Sequence, residues 1–273
     1  MACITSAGLI FLPQPRGIFQ QPRPEISNPR LSGKEYKKYI AKQGQDKKWA
    51  WYNDREKARK DEHSLLLYQA ISTGPAPDAP KYSLDLGCGT GAVTRELRMH
   101  GYHVTAIDTS TRGLVLLRAM ASHAPQQIPG IQTDNSRFED FSWASVQNQM
   151  SLIATDHALP FCHPDIFPRV WEGITQALRP GGMFVGNIFG DRHEWKDWKD
   201  EEGKSNPLTL IKPIDLQSML NRFYILVLNE QEGLGLTKKG TEINWHRYHI
   251  IAVKKPDHFP NTEFDKFPLF KPK

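Results

Sequence analysis

One octapeptide, Leu84-Asp-Leu-Gly-Cys-Gly-Thr-Gly91, constrains this chain more than any other stretch. A short apolar strand runs into alternating glycines, and from Thr90 onward the residues read as the start of a helix. Residues without a Cβ reach backbone conformations closed to others and let N–H groups approach a ligand at a helix N-terminus. Asp85 lies two residues before the first glycine, where its carboxylate is expected to face the ligand instead of the core. About twenty residues on, Val104-Thr-Ala-Ile-Asp108 closes a second apolar strand on an acid, the position from which such folds hold ribose hydroxyls. Together these segments imply a ligand that carries a nucleoside.

At 273 residues the chain fits one large domain with extensions, and no internal repeat is visible. Cys3, Cys88 and Cys162 are widely spaced, odd in number and free of a C-x-x-C pair. That usage argues for a reducing compartment and against a disulfide scaffold or a cysteine zinc site. No apolar run reaches the length of a membrane span. Ala7–Leu12 is short, lacks a basic stretch before it and runs into prolines, unlike a secretory signal. The expectation is a cytoplasmic protein without a membrane partner.

The net charge of +5 is unevenly placed: residues 1–62 hold 13 Lys/Arg against 7 Asp/Glu, and the remainder 22 against 23. Proteins acting on long nucleic acid carry a broad basic face, because neutralised phosphates supply much of their affinity. The near-neutral remainder counts against a nucleic-acid partner, and a solvated surface explains the basic arm.

Residues 1–32, rich in Pro, Gln, Ser and Arg, read as disordered. Residues 33–80 read as a helical arm, with Tyr36, Trp51 and Tyr52 able to form a lid or to pack the arm onto a sheet. Alternation follows over 81–255. Strands are expected at Ser83–Leu86, His103–Ile107, near Gly130–Thr133, at Met150–Thr155 and at Met183–Phe189. Helices are expected at Gly91–His100, Thr111–Ser122, Asp165–Leu178 and Ile214–Asn221. Phe223–Leu228 and Trp245–Val253 then form a hairpin with no helix between them. Residues 256–273 are a tail. Repeated strand–helix units imply a mainly parallel seven-stranded sheet with an antiparallel C-terminal hairpin and helices on both faces, a Rossmann-like α/β fold.

Gly87-Cys-Gly-Thr-Gly-Ala92 also satisfies the dinucleotide fingerprint G-x-G-x-x-G/A, so the glycines alone leave the cofactor open. Adding Asp85 and Gly91 gives D-x-G-x-G-x-G, which resembles motif I of class I S-adenosylmethionine methyltransferases. A pyrophosphate would meet an unfavourable charge at Asp85. Leu178-Arg-Pro-Gly-Gly182 resembles the turn before the fifth strand of that superfamily. Phe138-Glu-Asp-Phe141, Ala158-Leu-Pro-Phe-Cys162, Phe189-Gly-Asp-Arg192 with Trp195, and Asn244-Trp-His-Arg-Tyr-His-Ile250 resemble a subgroup related to tellurite-resistance-type methyltransferases.

The resemblance implies S-adenosylmethionine as cofactor. Asp85 would take its methionine amino group, Gly87, Cys88, Gly89 and Gly91 would form a backbone cradle, and Asp108 would hold the ribose, with Thr109 beside the adenine. Many relatives carry an adenine-binding aspartate after the third strand. The matching place here reads as Arg137, which cannot accept that bond, leaving the adenine to Phe138 or to backbone.

The acceptor should approach the end of the fourth strand, Thr155-Asp-His157-Ala-Leu-Pro. This stretch lacks the N/D-P-P-Y/F tetrapeptide of enzymes acting on exocyclic base nitrogens. His157 and Asp156 are the candidates for a base or an acceptor contact, Thr155 for the cofactor side, and His193, Trp195 and Trp198 for the acceptor side. His246 and His249 sit at odd spacing in a strand, on opposite faces, so no metal is expected there. The reading is a methyltransferase acting on an O, N or S atom of a small molecule. An RNA or protein methyltransferase using the basic arm, and a non-catalytic S-adenosylmethionine-binding protein, stay open. The oligomeric state is left open too.

Overall fold

The computed structural model describes residues 70, 81–121, 130–197, 208–236 and 241–256. The expected disordered segment, the arm apart from Ala70, the tail beyond Pro256, and the lid candidates Tyr36, Trp51, Tyr52 and Trp198 lie outside the described residues.

The expected alternation is present, in the order β1 (Tyr82–Leu86), α1 (Ala92–Met99), β2 (His103–Ile107), α2 (Thr111–Ala121), β3 (Ile131–Asp134) and β4 (Met150–Thr155). After these come α3 (Phe167–Ala177), β5 (Leu178–Gly190), β6 (Leu210–Ile211), α4 (Pro213–Met219), β7 (Phe223–Leu236) and β8 (Glu242–Lys254). Seven strands form one path, β3-β2-β1-β4-β5-β8-β7, in which β8 alone runs against its neighbours β5 and β7. An eighth strand, β6, pairs in parallel with the end of β5. It spans two residues, too few for a periodic signal in the sequence.

The central strands are buried on both faces, as parallel strands covered by helices must be. Every residue of β4 is buried. On one face Leu84, Leu86, Ile153 and Phe184 pack with Val170, Trp171 and Ile174 of α3 and Leu216 of α4. On the other, Leu152, Ala154 and Val185 meet Val93 and Leu97 of α1. Burying an apolar side chain of this size contributes about 1.5–3 kcal/mol. Trp171 also donates its indole N–H to the carbonyl of Met219 at 2.9 Å, tying α3 to the end of α4.

Boundaries shift where tertiary pairing extends an element. Leu178 pairs with Met150, so β5 takes in the whole Leu178–Gly182 turn through a register irregularity between Met150 and Leu152. The hairpin strands are 14 and 13 residues long, well beyond their apolar cores. The α3 helix begins two residues later than expected, with proline in its first turn, where the missing N–H costs nothing. Among the described residues no helix is long and apolar enough to cross a membrane, and no cluster of His, Cys, Asp and Glu could hold a metal.

Candidate cofactor and acceptor site

The carboxyl ends of β1, β2 and β4 lie side by side, since β1 pairs in parallel with both neighbours. In open parallel sheets this end is where ligands bind. The turn after β1 places Gly87, Gly89 and Gly91 at φ 74°, 53° and 89°. At Gly87 a Cβ would stand 2.1 Å from Ala158 Cβ, and at Gly91 one would stand 2.3 Å from Leu117 Cδ1. Both the left-handed backbone and the close approach therefore require glycine.

Asp108 locks this turn to β2. Its Oδ2 accepts from the Gly89 N–H at 2.8 Å, and its Oδ1 accepts from the Ser110 N–H at 2.7 Å. A carboxylate has about four acceptor sites, so half-buried Asp108 keeps capacity for ligand hydroxyls. Thr109 beside it is exposed. The Cys88 side chain turns inward to Ala106, Leu114 and Leu117, and burial pushes its thiol far above the ordinary range. Only the Cys88 backbone faces this role.

Asp85 departs from its expected orientation. Instead of standing open toward a ligand it is 1% exposed. Its Oδ2 accepts from the Thr94 hydroxyl at 2.5 Å, near the start of α1, where Gly91 offers no side-chain cap. Helix N-termini leave N–H groups without partners and favour an acid. Burial raises its pKa to about 7, opposed by hydrogen bonds from Thr94 and reinforced by the charges of Asp108 and Asp156. The three carboxylates thus share one end of the sheet.

Arg137 stands three residues beyond the end of β3. It is 71% exposed and pairs with Glu139 at 3.3 Å. The residues at the tip of β3 are Asp134 and Asn135: the Asp134 carbonyl accepts from the Asp108 N–H, and Asn135 Nδ2 donates to the Asp108 carbonyl at 2.9 Å. Phe138 reaches Gly87, its ring 3.7 Å from where a Cβ would lie. Trp143 steadies it by donating to its carbonyl at 2.8 Å. Thr155 is fully buried, its methyl against Gly186, and its hydroxyl has no partner among the described residues.

At the end of β4, His157 adopts φ 53°. Its Nδ1 lies 2.5 Å from Asp156 Oδ1. Asn187 of β5 fixes both: its Oδ1 accepts from the His157 backbone N–H at 2.8 Å, and its Nδ2 donates to Asp156 Oδ1 at 3.0 Å. From β8, Arg247 Nη1 approaches His157 Nε2 at 3.2 Å. His157 is 31% exposed and Asp156 11%, so the dyad is reachable yet shielded.

Aromatic rings surround this dyad. Phe189 and Trp245 each stand 6.4 Å from the His157 ring, and His193 lies 4.0 Å from Phe189 and 5.1 Å from Trp245. Trp195 completes the group, 5.5 Å from Trp245. Burial, with the charge of Arg247 next, lowers the His193 pKa to about 4. Arg192 clasps the loop carrying His193 to the hairpin through Glu230 and Glu232, beside buried His246. On the other face of the hairpin, His249 lies 3.0 Å from Gln231.

The structure therefore brings together Asp85, Gly87, Gly89, Asp108 and Phe138, and beside them Asp156, His157, His193 and Trp195. Sequence reasoning missed Asn187, Trp245 and Arg247 as members. Asparagine within the otherwise apolar run Met183–Phe189 was the visible signal. Arg247 and Trp245 were within a noted motif, but nothing local tied them to His157.

Residues 84–182 match a family model described as a methyltransferase domain. Over that stretch the chain is similar to methyltransferase domains. It is 28% identical over 136 residues to a carboxy-S-adenosyl-L-methionine synthase of Hydrogenovibrio crunogenus, covering 45% of this chain and 51% of that one. It is 26% identical over 196 residues to a ubiquinone biosynthesis O-methyltransferase of Idiomarina loihiensis, covering 65% and 76%. The chain thus spans about half the length of the first relative. TehB from Haemophilus influenzae superposes with a TM-score of 0.54 at 19% identity, over 69% of this chain and 61% of that one. The likeness extends to the fold, a Rossmann-like sheet with the C-terminal hairpin that the sequence led us to expect.

Proposed function

We propose that the chain is an S-adenosylmethionine-dependent methyltransferase that modifies an O, N or S atom of a small-molecule acceptor. The observation that carries this reading is the interlock of Asp108 with the glycine turn at the joined ends of β1 and β2. The residues present fit the cofactor: a cradle that a Cβ would fill at Gly87, an acid with acceptor capacity to spare at Asp108, and a buried Thr155 hydroxyl without a partner among the described residues. In this reading the backbone from Gly87 to Gly91 holds the methionine moiety, with the Asp85 charge buried behind that turn. Asp108 holds the ribose, and Thr109, Phe138 and the tip of β3 flank the adenine.

When bound, the cofactor supplies a sulfonium-activated methyl group for in-line displacement. The protein's part is alignment, exclusion of water and, for a hydroxyl acceptor, removal of a proton. His157 is the base of this reading: its Nε2 accepts the acceptor's proton as the new bond to methyl forms. Asp156 holds the opposite nitrogen, and Asn187 holds Asp156. Three widely spaced cysteines, with Cys88 and Cys162 buried as free thiols, support a cytoplasmic location as part of the same proposal.

Isothermal titration with S-adenosylmethionine and S-adenosylhomocysteine tests the core of this reading. Binding of both is expected, and Asp108→Ala should weaken it by about 1.5–3 kcal/mol, the loss of a charged hydrogen bond. Heat-free titrations at high protein concentration would overturn it.

A further inference from the structure

The His157 ring cannot accept a proton while its second nitrogen is engaged. A guanidinium only donates, so Arg247 Nη1 at 3.2 Å makes His157 Nε2 the acceptor and leaves the ring hydrogen on Nδ1, toward Asp156. Arg247 thus caps the lone pair that the base needs. It also lies over the Trp245 ring at 5.4 Å, on the face of the hairpin that bounds the aromatic group. For His157 to act as the base of the proposed reaction, the guanidinium has to move aside.

A second observation points to the same chemistry. His193 Nδ1 accepts from the Trp195 backbone N–H at 3.1 Å, so the neutral ring carries its hydrogen on Nε2. The side chain is 1% exposed, enclosed by Phe189, Trp195 and Trp245, and that nitrogen has no partner among the described residues. A buried donor without an acceptor is unfavourable unless a ligand supplies one. Asp156, the nearby acid, already faces His157 and Asn187. This corner of the site therefore gathers a guanidinium, an N–H with no partner among the described residues, and flat apolar rings.

We propose that the methyl acceptor is an aromatic acid whose carboxylate takes Arg247 away from His157 and receives the His193 N–H, its ring lying among Phe189, Trp195 and Trp245. The carboxylate then acts as the key that frees the base, and neutral phenols bind without freeing it. This rests on the methyltransferase reading and deepens it.

The test uses the full chain saturated with S-adenosylhomocysteine and titrated with benzoate, benzamide and benzylamine. Benzoate should bind at least tenfold more tightly than the other two. Arg247→Met should bring benzoate down to the level of benzamide while leaving S-adenosylhomocysteine affinity unchanged, and His193→Phe should weaken benzoate severalfold. In nitrogen-15 spectra of histidine-labelled protein, benzoate should shift the His157 Nε2 resonance and benzamide should not. Equal binding of the three probes, no benzoate binding at millimolar concentration, or a preference surviving Arg247→Met would each overturn the proposal. Failure to bind S-adenosylhomocysteine would instead sink the methyltransferase reading on which it rests.

Discussion

At Asp85 a carboxylate is enclosed beside Thr94, and burial pushes its pKa to about 7. A cationic ligand group needs the ionised form, so cofactor affinity should fall as pH drops below about 7, by up to tenfold per unit. Asp85→Asn should flatten that profile; titrations from pH 6 to 8 that show no slope in the wild type would refute the assignment. For folding the sign is opposite to the usual acid. A raised native pKa makes this group's contribution complete below the unfolded value near 4, and it is lost as pH rises through about 7. His193 works the other way. Its native pKa is lowered to about 4, so its contribution is present above the unfolded value of about 6.5 and fades as pH falls toward 4. His193→Phe removes both that titration and a buried N–H that has no partner among the described residues. It should raise stability at neutral pH by about 1–3 kcal/mol in urea unfolding, with the advantage growing below pH 6.5. A variant that is more stable yet binds the acceptor less well is the signature of a residue kept for function. A destabilised variant would count against that view.

The elements hold the glycine turn from outside as well as within. Helix α2 packs Leu117 against Gly91, and the Gly113 backbone lies close enough to Gly89 that a Cβ there would meet its carbonyl at 2.6 Å. Gly91→Ala should cost about 2–3 kcal/mol, combining a left-handed φ with overpacking against Leu117, and should weaken cofactor binding measured by titration. A neutral effect on thermal unfolding would show that the turn tolerates movement. The hairpin is the other element that shapes the site. In its register Phe189 stands opposite Arg247 and Asn187 opposite His249, so side chains of β5 and β8 line one face together. Trp245 and Arg247, two residues apart on β8, project to that same face. His246 and Tyr248 project to the other, where Arg192 and Glu230 gather.

Across the whole molecule, ligand binding joins three strands that the sequence separates by loops and helices, so cofactor should stabilise the entire sheet. At a concentration 100 times its dissociation constant, S-adenosylhomocysteine should add about 2.7 kcal/mol. For a domain of this size that raises the melting temperature by roughly 5–10 °C. A melting temperature indifferent to the ligand would contradict a site at the joined strand ends. Much of this architecture was legible beforehand, because hydrophobic alternation and glycine spacing are local and act over a few residues. The parallel order, the closing hairpin, the glycine turn and Asp108 follow from Leu84–Gly91, Val104–Asp108 and the two last β-rich runs. Arg137 falls three residues past β3 because the end of that strand is set by pairing with β2, which places Asp134 opposite Ile107. The surroundings of His157 were beyond local reach. Arg247 meets His157 across 90 positions and Asn187 meets it across 30, distances over which no periodicity carries information. The sequence by itself determined where the left-handed turn after β1 lies, since only glycine permits it. The tertiary structure alone decided which side chains gather around His157, because sheet register, a property of paired strands, chooses the face on which each residue emerges.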